Sequence, residues 1–416
     1  MIKIENKFRL IHEEKNLGIR YGSFKFNGGR TFTNQKAKSS TDLNYLPEIN
    51  KFDQSKISYP GSLLVAHKKI DVEKLIHKDS QYYAEKIKEL KVYSTKCKED
   101  YKVCKPILGV YKLKKFYNSL TKQREFKKKF YSLSMFPDLI NGKTDFITKV
   151  LVDLALDSGY DALSNSYKFQ AFKAQEFVSD TKVAIKERDN LVSMGLREID
   201  ILPEVLLSAK SNKEFEQAVK FVYGDNSNFN SLDFSYASRI RNKYNYDSII
   251  DLNRKNENIM NILSNVSHRK MPEKGFNLAP AHYYPVYKFD VIVKGMPASF
   301  LSEEQPAIKF FEKETLGIIP EEKKIVLSPD FNTSFPLLST KDFGERQEFL
   351  KKAKKANMLR ALSKSMEFFD SQEELAYSRD YVADDSFRDY LGEKEELKKA
   401  FEKHNHLNSQ ADLSGW

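Results

Sequence analysis

From residue 61 onward the chain repeats one pattern: short apolar runs separated by longer stretches of helical periodicity. The runs cover residues 62–67 (SLLVAH), 106–113 (PILGVYKL), 160–166 (YDALSNS), 198–208 (EIDILPEVLLS), 231–237 (SLDFSYA), 275–281 (GFNLAPA), 289–295 (FDVIVKG) and 324–330 (KIVLSPD). Each has the length of a strand, and most are apolar or β-branched without strict alternation. That is the pattern of parallel strands covered on both faces. Between them, residues 212–223 place Phe215, Val219 and Val222 on one helical stripe. A helix is expected over 300–316, with Ser302 as N-cap and Ala307, Phe310 and Phe311 on one face. Another is expected over 344–369, where Phe349, Ala353, Ala356, Leu359, Leu362, Met366 and Phe369 recur every three to four positions. Residues 147–156 form a further helix before the Asp157-Ser158-Gly159 break.

The N-terminal part reads differently. Residues 17–26 alternate loosely, Asn27-Gly28-Gly29 supplies a turn tolerant of positive φ, and residues 30–33 resume the alternation, which predicts a β-hairpin. Residues 36–59 are polar and flanked or cut by Pro47 and Pro60, which predicts loop. Strands alternating with helices over residues 61–370 predict an α/β fold, a (β/α)8 TIM-type barrel. It carries a small β-rich N-terminal addition (1–60) and a helical, polar C-terminal tail (371–416), with a short helix over 395–404. A doubly wound α/β sheet with a small extra domain is the alternative. Residues 114–159 are too long for one crossover and predict two helices.

Composition narrows the class of protein more than its function. An apolar fraction of 40% with 13% aromatics excludes a disordered chain. No apolar run is long enough to cross a membrane, and the first residues, MIKIENKFRLIHEEK, lack the apolar core of a secretory signal. The two cysteines, Cys97 and Cys104, make no disulfide framework and no zinc ligand pair, so a cytoplasmic, reducing location is expected. The 69 Lys+Arg against 58 Asp+Glu give a net charge of +11, which favours an anionic partner such as DNA or RNA, unless it reflects an A+T-rich coding bias.

The sequence contains no Walker-type phosphate loop, dinucleotide-binding glycine motif, zincin helix or nucleophile elbow, and it points to no particular cofactor and no metal. Candidate chemistry therefore rests on polar residues at strand ends, where barrel enzymes place their active sites. His67 ends the first run, Ser164, Asn165 and Ser166 the third, and Lys294 the seventh; Glu204 lies within the fourth and Asp233 and Ser235 within the fifth. Asp330 closes the eighth run and is the strongest single candidate, as nucleophile, base or metal ligand; its alternative is a loop cap. Glu204 makes a second carboxylate across the mouth. His282, followed by Tyr283 and Tyr284, presents an imidazole and two rings, or else packs them at the barrel rim. Lys294 forms an imine if buried, since desolvation lowers an amine's pKa. Substrate contacts are assigned to Asn165, Tyr283, Tyr284 and Lys294, and catalysis to Asp330, Glu204, His282 and His67.

Residues 111–131 interleave eight Lys/Arg with six Phe/Tyr, the composition of a surface that grips phosphates and stacks bases. Lys114, Lys115, Arg124, Lys127, Lys128 and Lys129 are its nucleic-acid candidates; the aromatics are equally the buried side of a helix. The expected function is a barrel enzyme acting on a nucleic-acid or phosphorylated substrate by carboxylate-based glycosidic or acid/base chemistry. In outline this is similar to the nucleobase transglycosylases, in which a small β-element precedes a barrel with two catalytic aspartates. Their DSGGFQ-type motif and cysteine-rich zinc site are missing, and Asp157-Ser158-Gly159 shares three letters only. The alternatives are a non-catalytic nucleic-acid-binding protein and a lysine-dependent lyase or aldolase.

Overall fold

The computed structural model describes residues 7–39 except 16, 27–28 and 34, together with 45–57, 63–71, 132–140, parts of 148–155, 160–165, 174–193, 195, 199–206, 212–224, 229–233, 259–266, 277–294, 308–320, 329 and 331–403. Strands β1 (Lys7–Glu14), β2 (Ile19–Phe26) and β3 (Gly29–Phe32) make an antiparallel three-stranded sheet. The expected hairpin is present: Phe26 pairs with Gly29, which leaves Asn27 and Gly28 between the strands. Gly18, before β2, has φ 63°, a left-handed conformation that costs glycine no Cβ clash. Gly22 lies under the Phe8 ring; a Cβ there would sit 2.5 Å from ring carbons, so only glycine lets the ring approach β2.

Eight further strands close into a barrel: β4 (Gln35–Ser39), β5 (Leu63–Asp71), β6 (Ser132–Ile140), β7 (Ala162–Asn165), β8 (Asp200–Leu206), β9 (Phe229–Asp233), β10 (Met260–Val266) and β11 (Val291–Lys294). Every neighbouring pair is parallel, and β11 pairs with β4 to complete the ring. The protein is thus α/β, and the closed order excludes the open doubly wound alternative. Helix α1 (Tyr45–Asp53) follows β4, α2 (Ala174–Ser193) follows β7 and α3 (Asn212–Gly224) follows β8. A 3-10 turn (Pro280–Tyr283) and α4 (Tyr284–Tyr287) lead into β11.

Five expected runs coincide with or overlap β5, β7, β8, β9 and β11. The run at 275–281 is not a strand: Leu278 makes a single bridge to Gly317, and the chain then turns into the 3-10 segment. The runs at 106–113 and 324–330 lie outside the described residues. Three barrel strands come from elsewhere. β4 overlaps the segment expected as loop, its polar sequence QKAKS giving no apolar signal, and α1 also lies within that segment. β6 contains Pro137, which removes a ladder donor and reads against a strand, in a region expected to be helical. β10, MNILSNV, carries only four apolar residues.

The expected helix over 300–316 is also corrected. β12 (Lys309–Glu312) and β13 (Gly317–Pro320) form a hairpin instead. Phe310 and Phe311 are consecutive and both buried, but in different hydrophobic clusters, an opposition that a strand provides and a helix face does not. Beyond it come α5 (Pro336–Ser339), α6 (Phe343–Lys355), α7 (Leu359–Ala383) and α8 (Phe387–Glu393), and residues 395–403 are helical as expected. The single helix expected over 344–369 is two. Asn357 has φ 58°, Met358 N–H bonds Ala353 O and Asn357 N–H bonds Lys354 O, so a Schellman motif ends α6 despite the continuous apolar stripe. α7 crosses residue 370, where a polar tail was expected, and buries residues along its whole length.

Candidate active site at the C-terminal edge of the barrel

The inner face is fixed by what shares a cluster. Leu63, Ala162, Met260, Ile262 and Val291 come from strands on different sides of the ring and pack together with Phe8 and Phe24 of the N-terminal sheet. They therefore line the interior, and the two phenylalanines close its N-terminal end. Strand residues of the opposite phase, Leu163, Ile201 and Leu263, pack instead with helical side chains. In parallel pairing, facing residues share a face and alternate with period two.

Arg20 locks the N-terminal closure. Its Nη2 and Nε donate to Asp290 Oδ2 at 2.6 Å and Oδ1 at 3.1 Å, and Nη2 also donates to Ile259 O. Asp290 accepts a further bond from Asn261 N–H at 2.7 Å. Asp290 and Ile259 immediately precede β11 and β10, so this buried ion pair marks the barrel's N-terminal end. Sequence reasoning missed it because its members are 270 positions apart.

The register carries the inner phase around the ring. Val65 pairs with Ser134, Ser134 with Ala162, and Ala162 with Asp200. Glu204 pairs with Ser231, Ser231 with Ile262, Ile262 with Val291, Val291 with Gln35, and Ser39 returns to Val65. The circuit closes on its starting phase. Toward the C-terminal edge this phase holds His67 and Lys69 of β5, Asp138 of β6, Ser164 of β7, Glu204 of β8 and Asp233 of β9. Lys69 pairs directly with Asp138, and Asp233 with Ser264 of β10. Ser164 is fully buried.

Against this frame the expected residues separate. His67 and Glu204 occupy inner-phase positions. Asn165 follows Ser164 at the end of β7 and falls on the outer phase, whereas Lys294 pairs with Val266 beyond a register shift between β10 and β11, so the circuit gives it no phase. Asp330 and the basic candidates Lys114, Lys115, Arg124, Lys127, Lys128 and Lys129 lie outside the described residues, as do Cys97 and Cys104.

His282, Tyr283 and Tyr284 precede β11 and so belong to the barrel's N-terminal side, away from the strand ends. The His282 ring stacks on Phe311 at 5.0 Å and 11°, with Nε2 3.4 Å from Ser371 Oγ of α7. The Tyr284 hydroxyl lies 2.8 Å from Ser378 Oγ, and burial pushes its pKa up. All three are buried, in the arrangement of aromatics packed along a seam.

Asp233, a strand-end polar residue in the sequence, joins this edge, whereas Lys69 and Asp138 carry no sequence signal and are distinguished only by their position in the ring. Among the described residues no group of three or more His, Cys, Asp or Glu side chains is arranged to hold a metal ion. No described helix is long and apolar enough to cross a membrane.

No family model matches the sequence, and no curated protein matches it. Solved structures give distant likenesses. A 2,3-dimethylmalate lyase of the PEP mutase/isocitrate lyase superfamily is 12% identical over 60% of this chain and 80% of its own, with TM-score 0.33. The carboxyl transferase domain of Rhizobium etli pyruvate carboxylase, with 3-bromopyruvate, is 10% identical over 82% of this chain and 48% of its own, with TM-score 0.34. The enoyl reductase domain of MlnA from Bacillus amyloliquefaciens is 10% identical over 73% of this chain and 89% of its own, with TM-score 0.27. At these scores the likenesses carry no argument about this chain.

Proposed function

We propose that the chain is a (β/α)8-type barrel enzyme, with the N-terminal sheet as a lid on the far end, that acts on a small carbonyl compound by lysine-assisted acid/base chemistry. The observation that carries this is the closed ring of parallel strands, whose inner phase gathers Lys69, His67, Glu204 and Asp233 toward the edge where barrel enzymes work. Lys69 takes the role first given to Lys294. An amine taken out of water loses basicity, and its free form adds to a carbonyl and expels water to form an imine. Glu204, on the same inner phase as His67, then carries a proton to or from the carbon beside the imine. The glycosidic reading keeps Glu204 but needs Asp330 as its partner, so it stands second.

The test is reductive trapping. Incubation with borohydride and a panel of 2-oxo acids and aldehydes is expected to leave a reduced adduct that peptide mass spectrometry places on Lys69. Lys69→Met abolishes it, and Glu204→Gln leaves trapping intact while slowing solvent deuterium exchange into the bound compound by about 100-fold or more. An adduct on Lys294 alone, or none with any of the panel, sinks the lysine reading. Glycosidic chemistry would then be tested through Glu204 and Asp330.

A further inference from the structure

The N-terminal sheet has a second face. Phe8, Phe24 and Thr31 form one register row and are buried toward the barrel. The next phase carries the row Lys7, Lys25 and Arg30 and the row Arg9, Ser23 and Phe32. Arg9, Lys25 and Arg30 are exposed, and Phe32 keeps 45% of its surface in solvent. Arg379 of α7 borders them: its guanidinium lies 5.7 Å from the Phe32 ring centre, and Nη1 donates to Thr33 O at 3.1 Å. The far end of the same face is closed off, since Ile19 and Tyr21 join the cluster containing α7 and α8 residues. Ser23, between Arg9 and Phe32, is buried, so the exposed part is the rim made by Arg9, Lys25, Arg30 and Phe32; these two rows contain no acidic residue, and among the described residues Arg9, Lys25 and Arg30 form no ion pair.

We propose that this exposed half-face binds single-stranded nucleic acid. Cations along a sheet face hold phosphates, and a ring standing beside them offers a surface on which an unpaired base stacks. Phe32 is too little apolar surface for a protein interface core, which needs a contiguous patch. A duplex keeps its bases stacked on each other and makes no use of the ring. The sheet caps the N-terminal end of the barrel with its other face, so the exposed cations lie away from the C-terminal edge. It therefore stands or falls independently of the imine chemistry, and it gives part of the +11 charge a location outside residues 111–131.

The experiment is fluorescence anisotropy of the full chain with a short labelled oligouridylate, the matching oligothymidylate and a duplex of equal length, across a salt series. Both single strands are expected to bind more tightly than the duplex. Lys25→Glu with Arg30→Glu should weaken binding at least tenfold, and the salt slope should fall by about 1.4, two phosphates at about 0.7 each. Phe32→Ala should cost on the order of tenfold with the slope unchanged, because stacking releases no counterions. If the charge-reversed chain unfolds, as judged by circular dichroism, Lys25→Gln with Arg30→Gln gives the same reading. The proposal is overturned by absence of single-strand binding, binding that ignores all these substitutions, or equal duplex binding insensitive to Phe32→Ala. Capture of phosphatidylserine vesicles by the same residues without any capture of the oligonucleotides overturns it too.

Discussion

Asp370 shows how one buried carboxylate organises its surroundings. It sits within α7 and accepts bonds from Thr333 Oγ1 at 2.9 Å, Ser334 N at 2.6 Å and Ser334 Oγ at 2.7 Å, pinning the 331–335 segment to the helix. Burial still outweighs these donors and the nearby Lys313, so its pKa is raised above 3.8. A raised carboxylate pKa means that the folded state binds the proton more tightly than the unfolded chain. Stability from this group is therefore full below about 3.8 and falls as pH rises through the folded value. Urea unfolding of the native chain and of Asp370→Asn should show a stability difference that shrinks between mildly acidic and neutral pH. A difference that grows instead means that the donors stabilise the anion more than burial opposes it. At this scale the candidate site was half legible. His67 and Glu204 stand out as polar residues inside apolar runs, whereas Lys69 looks like one more surface lysine and Asp138 sits beside a proline. Nothing local distinguishes those two; the pairing of β5 with β6 does.

Elements were legible where period and burial agree. α3 buries Val219 of the stripe its sequence predicts, and Ala218 beside it. The α6–α7 region failed because apolar spacing continues through a point where the backbone does not. Asn357 is the only strong local stop, and its left-handed φ with the two backward bonds makes it the C′ residue. Asn tolerates this conformation, Gly adopts it freely, and a Cβ-bearing residue without a local side-chain bond pays for it. Asn357→Gly should keep or slightly raise stability, and Asn357→Ala should lower it by about 1 kcal/mol. Thermal melts of the two variants decide this: equal loss in both would mean that the Asn357 side chain matters and the backbone conformation does not. β4 and β6 failed for a different reason. A barrel strand is held by neighbours on both sides, so a polar or proline-containing segment can be drafted into the ring by pairing that no local pattern displays.

At the scale of the molecule, α7 is the shared wall. Leu359, Leu362, Met366 and Phe368 belong to the cluster built with α1, α6 and the outer sides of β7 and β8, while Leu375 and Val382 belong to the one containing α3, α4, α8 and Leu263 of β10. Neither cluster is complete without it, and Arg379 and Asp370 add hydrogen bonds from the same helix to Thr33 and Ser334. The described parts of the chain should therefore unfold together. Leu362→Ala, at a fully buried position, should cost about 2–5 kcal/mol through lost contacts and the cavity left behind. Because the helix is common to both clusters, that loss should shift far-UV and near-UV circular dichroism transitions by the same amount and keep them superimposed. Two separated transitions, with only one moved by Leu362→Ala, would show that the clusters melt independently and that α7 is a bridge rather than a wall. The barrel would then have to be treated as two half-structures joined by one helix.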